Sequence, residues 1–355
     1  MDNLSDLTVV ILSYQRHPFL IRSMEYWSGK LPTVIILDGT EEPVPDEVLN
    51  RMMPNIQYNW NNIKYEDRLR SVIPMIKTKY VVQLSDDEYF LPGGLQRCID
   101  ELVMDKELIA CVGRCLYFWP RKGRITVMNY YTWWKSILQD TPQERMEASM
   151  YVLHAVTIYG VMRSKNWINN IKVLTEKAFS CCYVTEHQFE LFSAYQGKAK
   201  IIDVLSWFRS GENHPKSFKN WDRGYYLEHW YRKEGNEEEV NELFNVLMKH
   251  ALAINPGIDV VAEENGFRKA GYIWVNKAES GKTRWSEFTV PFRKFAELIA
   301  ANLPKRIKYP LKEVLGLAKG QFEYKEIPDK LRKMSISYNI DDLKDIEKSL
   351  TNFYR

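Results

Sequence analysis

Three consecutive carboxylates, Asp86, Asp87 and Glu88, follow the apolar run Tyr80-Val81-Val82-Gln83-Leu84 and precede Tyr89-Phe90-Leu91-Pro92-Gly93-Gly94. Adjacent like charges repel, so such a run at the end of a buried strand calls for a counter-charge. Successive side chains in extended backbone point to opposite sides, which would put Asp86 and Glu88 on one side and Asp87 on the other. Two carboxylates projecting together suit Mg2+ or Mn2+. These hard cations take oxygen ligands, commonly one or two carboxylates plus substrate phosphates. A solvated acidic turn is the plainer alternative. The position between a buried strand and a helix start favours the cation.

Two more polar clusters end apolar runs: Ser13-Tyr14-Gln15-Arg16 after Thr8–Leu12, and Asp38-Gly39-Thr40 after Thr33–Leu37. In an open parallel sheet, ligands bind beyond the carboxyl ends of the strands. Three clusters at one sheet edge would form a polar crevice suited to a nucleotide.

The elements that must position them follow a strand–helix rhythm. Continuous apolar runs at 8–12, 33–37 and 80–84 read as strands covered on both faces, with a short one at 56–58. Helices are expected from His17-Pro18 to Gly29, through Tyr65–Met75, and from Pro92, where Leu95, Cys98, Ile99, Leu102 and Val103 recur at helical spacing. Repeated units of this length imply right-handed crossovers and a parallel sheet. Residues 109–113 and 115–119 read as β, 120–148 as aromatic and irregular, 183–195 as a helix and 201–208 as a strand. Past residue 214 the pattern turns mainly helical. The expected fold is α/β, a mostly parallel sheet flanked by helices over 1–214, with a mainly helical region over 215–355.

The segments LTVVILSYQR, VIILDGT and YVVQLSDDEYFLPGGL together resemble the nucleotide-sugar domain of GT-A glycosyltransferases, in the broad family 2-like group. The likeness covers about residues 7–214, and the acid–aromatic–LPG block is its most specific part. It implies that Asp86 and Glu88 hold the metal and Asp86 and Asp87 border the diphosphate. Where that branch carries Asp this chain carries Glu88, so Asp87 is the substitute ligand. It also implies that Ser13 and Arg16 border the nucleotide, that Asp38 faces its base or ribose, and that Arg68 reaches the donor. A surface pair of Arg68 with Glu66 or Asp67 is the alternative.

The implied reaction is transfer of a sugar, with inversion, from a nucleotide-diphosphate donor, UDP by default, using Mn2+ or Mg2+. A base must deprotonate the acceptor hydroxyl. The family places it at a helix start that matches Glu186. Glu190 lies one turn on, on the same face. Both could instead be solvent-facing helix acids. Arg209 and His214 stand where the family grips the diphosphate or closes the metal site, although His214 is equally an ordinary loop histidine. His187 is a weaker candidate for the acceptor side.

Composition narrows the classes. Of 355 residues, 45% are apolar, ample for a core, and a net charge of +3 demands no nucleic acid. The five cysteines lack zinc spacing, and reduced thiols in a cytoplasmic protein are expected. No apolar run approaches the roughly 20 residues that span a bilayer. Residues 292–320 carry seven Lys/Arg against two Glu. That stretch could rest on an anionic membrane surface, where a lipid-linked glycan acceptor of polysaccharide synthesis would lie. A helix packed on the catalytic domain is the alternative. Ser280-Gly281-Lys282-Thr283 lacks the first glycine of a phosphate loop. Two rivals remain. A sugar nucleotidyltransferase would need a Gly-rich loop after the first strand, and Ser13–Phe19 has no glycine. A non-catalytic binding module of the same fold would have no use for the acids.

Overall fold

Four strands form the parallel half of one sheet: β1 (Leu7–Ser13), β2 (Thr33–Asp38), β3 (Ile56–Trp60) and β4 (Tyr80–Ser85). In the computed structural model, which describes residues 3–121, 124–130, 134–152, 157–212, 227–276 and 321–354, they lie in the order β3-β2-β1-β4. Residues 8–11 of β1, 34–37 of β2 and 81–84 of β4 are buried, as expected for strands covered on both faces. The register sets the chemistry. Ser13 pairs with Asp38, Leu12 with Ser85, and Asp38 with Trp60. All three polar clusters therefore emerge at one edge.

The other half of the sheet is mixed. The strands β5 (Tyr89–Phe90), β6 (Leu108–Arg121), β7 (Arg124–Tyr130), β8 (Val161–Arg163), β9 (Lys198–Ser210) and β10 (Gln321–Glu323) complete it. Here β8 runs antiparallel to β4 and β6, β7 antiparallel to β6, and β9 parallel to β6. The mostly parallel sheet expected from sequence is thus confined to its first half. Residues 120–148, which read as irregular, supply β7 and the start of a helix.

Helices α1 (His17–Trp27), α2 (Asp46–Leu49), α3 (Tyr65–Ser71) and α4 (Pro92–Met104) connect the first strands. The expected helix 65–75 stops at Ser71 and continues as a 3-10 turn over Ile73–Met75. Pro74 has no N–H to donate, so the α-helical hydrogen-bond ladder cannot run through it. Beyond them lie α5 (Pro142–Val152), α6 (Ser164–Leu174), α7 (Tyr183–Gln196), α8 (Leu227–Arg232) and α9 (Glu237–Ile254).

Apolar side chains collect in three clusters. One covers the face of the sheet under α1 and α4, and a second the opposite face under α3 and α6. A third joins α5 and α7 to α8, α9 and the helical residues 260–276. The described residues past 214 divide between two clusters, 227–276 in the third and 321–354 in the first. Phe322, Leu331, Leu343, Ile346 and Leu350 are buried in the first cluster, and β10 pairs with β7. The C-terminal helix (Ile340–Phe353) also closes the start of α4, where Asp342 Oδ2 accepts the Gly93 N–H at 2.8 Å. That satisfies one of the orphan donors of a helix N-terminus. A Cβ at Gly94 would stand 2.3 Å from the Leu205 carbonyl, so only glycine lets this turn lie on β9.

Candidate active site

At the end of β4 the chain turns rather than extending. The Glu88 N–H points back to the Ser85 carbonyl at 3.4 Å, and Asp86 and Asp87 occupy the corner. Strict alternation of side chains therefore does not apply. Asp86 and Asp87 face the same partner: Arg16 pairs with Asp86 and lies 3.3 Å from Asp87 Oδ2. Ser13 Oγ donates to Asp86 Oδ2 at 2.7 Å. Glu88 takes the neighbouring direction. Trp207 Nε1 donates to its Oε2 at 3.1 Å, and Arg209 Nε stands 3.9 Å from its Oε1. The pairing of β5 with β9 produces that contact, because Phe90 sits opposite Trp207. So Asp87 is not turned away, and Glu88 is the acid held apart.

All three acids are buried. Desolvation dominates, pushing the Asp86 carboxyl up to about 7 against the pull of Arg16, and Glu88 up to about 8, with Asp87 adding repulsion. Burial also raises Asp87, and Glu212 adds to the effect against the attraction of Arg16. A carboxylate held this way has an unmet appetite for positive charge.

The β1 loop is shaped to deliver Arg16. Gln15 has a φ of 56°, the left-handed region that favours glycine, and its N–H donates to Thr40 Oγ1 at 2.9 Å. Thr40 in turn donates through Oγ1 and N–H to Asp38 Oδ1, at 2.6 and 2.9 Å. Tyr58 donates to Asp38 Oδ2 at 2.7 Å, and His17 Nε2 lies 2.9 Å from it. Asp38 is fully buried with both oxygens occupied. It does not present a free oxygen to a base or ribose. It ties the start of α1, the loop after β2 and strand β3 together, through His17, Thr40 and Tyr58.

Arg68 is buried rather than paired on the surface with Glu66 or Asp67. Its guanidinium lies against Gly39, where a Cβ would fall 0.9 Å from Nη1. Burial lowers its pKa, and Asp38, Tyr65 and Tyr14 partly offset that. With Tyr14, Ile63 and Tyr65 it lines a cavity of about 840 Å³ at the β1–β3 end of the crevice.

A second cavity, of about 460 Å³, opens beside β4. Ser85, Gln83, Tyr65, Tyr159, Lys177 and Glu186 line it. Glu186 is in the first turn of α7. Desolvation raises its pKa while Arg209 lowers it. Arg209 lowers the pKa of both Glu186 and Glu88 against the effect of burial. Glu190, one turn on, does something else. Its buried Oε1 accepts from Thr157 N and Oγ1, both at 2.8 Å, and from Ile158 N at 3.2 Å. It holds the turn that lines the cavity. His187 is fully buried against Tyr231 and Trp274, and desolvation pushes its pKa down to about 3. Its ring belongs to the third apolar cluster and not to the crevice. His214, residues 292–320 and Ser280–Thr283 lie outside the described residues.

One pair escaped the sequence reading. Arg22, on α1, makes a bidentate bond to Glu212 at 2.8 and 2.7 Å and donates to the Asp87 carbonyl at 2.8 Å. Phe19, Arg22 and Tyr26 at helical spacing were a faint signal. Glu212, 190 residues away, left none.

Whether this site suits a divalent cation rests on its donors. They are hard carboxylate oxygens with raised pKa, and the buried Asp86 Oδ1 has no hydrogen-bond partner of good geometry. Among the described residues no group of three or more His, Cys, Asp or Glu could hold a metal by itself. The residues fit a cation that takes the rest of its ligands from a diphosphate. Asp86, with Asp87 beside it, would hold it.

No family model and no curated protein matches the sequence. Solved structures do match. S. aureus TarS 1–349 in complex with UDP-GlcNAc superposes with a TM-score of 0.50 at 8% identity, covering 86% of this chain and 78% of that one. The same TarS fragment in another crystal structure gives 0.48 at 11% identity, covering 83% and 78%. Among the described residues no helix is long and apolar enough to cross a membrane. By its strand order, its crevice at the carboxyl ends of the parallel strands and its likeness to the UDP-GlcNAc-bound TarS fragment, the chain has the GT-A fold.

Proposed function

We propose that the protein is an inverting glycosyltransferase that takes a sugar from a nucleotide-diphosphate donor, a UDP-sugar, and passes it to a hydroxyl of a glycan or lipid-linked glycan. One observation carries the proposal. Three buried carboxylates with raised pKa share the ends of β4 and β1 with Arg16 and Arg209, and Glu186 stands across the cavity that begins at Ser85. Carboxyls whose pKa is raised by burial and that gather in a crevice mark a functional site. The UDP-GlcNAc bound to the TarS fragment supports UDP as the nucleotide.

In this scheme the base stacks among Tyr14, Tyr65 and Arg68, and the diphosphate lies over Ser13, Arg16 and the acid turn. Glu186 takes the proton of the acceptor hydroxyl as that oxygen bonds to the anomeric carbon. The bond from that carbon to the diphosphate oxygen breaks on the opposite side, which inverts the centre. A raised pKa suits a general base working near neutral pH. Arg16 and Arg209 face the leaving diphosphate and disperse its growing charge. Mn2+ or Mg2+ held by Asp86 and Asp87 would supply further neutralisation of that leaving group.

The guanidinium of Arg16 between Asp86 and Asp87 favours one second reading, in which arginine alone neutralises the diphosphate. Titration of the purified protein with UDP, with and without MnCl2, separates the two. The metal scheme expects tighter UDP binding with Mn2+, and loss of that gain in Asp86→Ala. Equal binding in both conditions leaves the arginine scheme. Hydrolysis of a panel of nucleotide sugars tests the activity itself. Inertness toward every donor, with UDP unbound, would overturn the proposal.

A further inference from the structure

The C-terminal helix reaches the acid turn through Glu212 and Arg22. Its Tyr354, one residue past Phe353, donates its hydroxyl to Glu212 Oε1. Glu212 forms the bidentate bond to Arg22, with both side chains almost fully buried. Ser210 Oγ donates to Glu212 Oε2 at 2.9 Å. Arg22 then donates to the Asp87 carbonyl at 2.8 Å. The same guanidinium packs over the rings of Phe353, Tyr89 and Phe19, at 4.7, 5.1 and 5.2 Å. Two more contacts tie this helix to the segment just past the acids: Ser349 Oγ with Tyr89 OH at 2.9 Å, and Asp342 with the Gly93 N–H.

A buried ion pair of this kind is weak evidence for stability, since desolvation offsets much of its attraction. What it does supply is geometry. The arginine fork is planar and rigid. With Glu212 gripping one edge, its remaining Nη2 hydrogen can aim only at the Asp87 carbonyl. That carbonyl belongs to the turn that sets where the Asp86 and Asp87 carboxylates point.

We propose that the C-terminal helix is a working part of the donor site: the chain Tyr354–Glu212–Arg22 is a positioning brace that holds the acid turn in its ligand-binding shape. The inference rests on the donor-site reading above and adds to it a role for the last residues of the fold. Arg22, Glu212 and Tyr354 touch no substrate in this scheme. They act through the Asp87 backbone.

The test uses the full chain with Tyr354→Phe, which removes only a hydroxyl, and Arg22→Lys, which breaks the fork to buried Glu212. UDP with MnCl2 is titrated calorimetrically, Tm is measured on the same samples, and hydrogen exchange is followed for the amides of residues 86–90. A hydrogen bond to a charged group corresponds to roughly a factor of ten or more; acting only through the Asp87 backbone, its loss should weaken UDP affinity by part of that, about threefold to tenfold. Exchange at 86–90 should quicken in both, while Tm stays near that of the wild type in Tyr354→Phe and falls in Arg22→Lys, where a buried pair is broken. The double variant should lose little more than the worse single one, because both break one chain of contacts. Unchanged affinity and unchanged exchange in both variants would overturn the brace, as would a fall in Tm with affinity intact. Wild-type protein that binds no UDP in either condition would instead remove the donor-site reading, and the brace with it.

Discussion

Replacing Asp86 by asparagine should stabilise the protein and disable it together. Burial lifts the Asp86 carboxyl from its ordinary 3.8 to about 7. An acid whose folded pKa is raised destabilises the fold in its ionised form. The penalty is absent below 3.8, grows as pH rises, and is complete above about 7. A rise of that size corresponds to roughly 4 kcal/mol. That figure is net, because the attraction of Arg16 and the bond from Ser13 already oppose the rise. Asparagine is neutral, so the expectation is a gain of about 3–4 kcal/mol at about pH 8.5. At about pH 5 only the first part of the penalty has developed, so the gain falls to about 1–2 kcal/mol. Urea unfolding at the two pH values reads the difference directly, and calorimetric titration with UDP and MnCl2 reads the loss of binding. A variant that is less stable at the higher pH, or equally stabilised at both, would refute the electrostatic account. Retention of full UDP affinity would refute the functional one.

Further outcomes follow from the same geometry. Glu186→Gln should lower the rate of sugar transfer by about 10²- to 10⁴-fold while UDP affinity stays unchanged, as measured by product formation and calorimetry on one preparation. In Gly39→Ala the new methyl would fall 0.9 Å from Arg68 Nη1, so the arginine must leave its place. Weaker UDP binding with an intact circular dichroism spectrum is the expected result. Glu190→Gln removes the charge from a carboxylate that accepts from Thr157 and Ile158. It should cost about 1–3 kcal/mol of stability and leave the pH dependence of transfer unaltered, which separates it from Glu186.

Much of this site was legible in the chain itself. Local pattern specified the buried strands, because a parallel strand covered on both faces must be apolar throughout, and the runs at 8–12, 33–37 and 80–84 are. The polar residues that end those runs therefore had to meet at one edge. Asp86 and Ser13 were found that way, and the register confirms their meeting. The sequence also marked the helix that starts at Pro92, since a proline in the first helical turn followed by apolar residues at helical spacing has few other uses.

Only the tertiary structure decided what each acid does. The assignment of Asp86 and Glu88 to one side assumed extended backbone, and the chain makes a turn there because β5 must reverse to pair with β9. Glu186 and Glu190 look alike in sequence, but one lines a cavity and the other accepts through Oε1 from Thr157 and Ile158. Asp38 stands where a ligand contact was expected and is filled by Thr40, Tyr58 and His17. The last residues return to the first apolar cluster and reach the acid turn through Glu212. Such contacts, Lys30 with Asp345 among them, join residues as far as 315 positions apart, and periodicity carries no information at that range. Sequence decides which residues are buried on an element. Which buried polar group remains unsatisfied, and so available to a ligand, depends on every partner that folding brings to it.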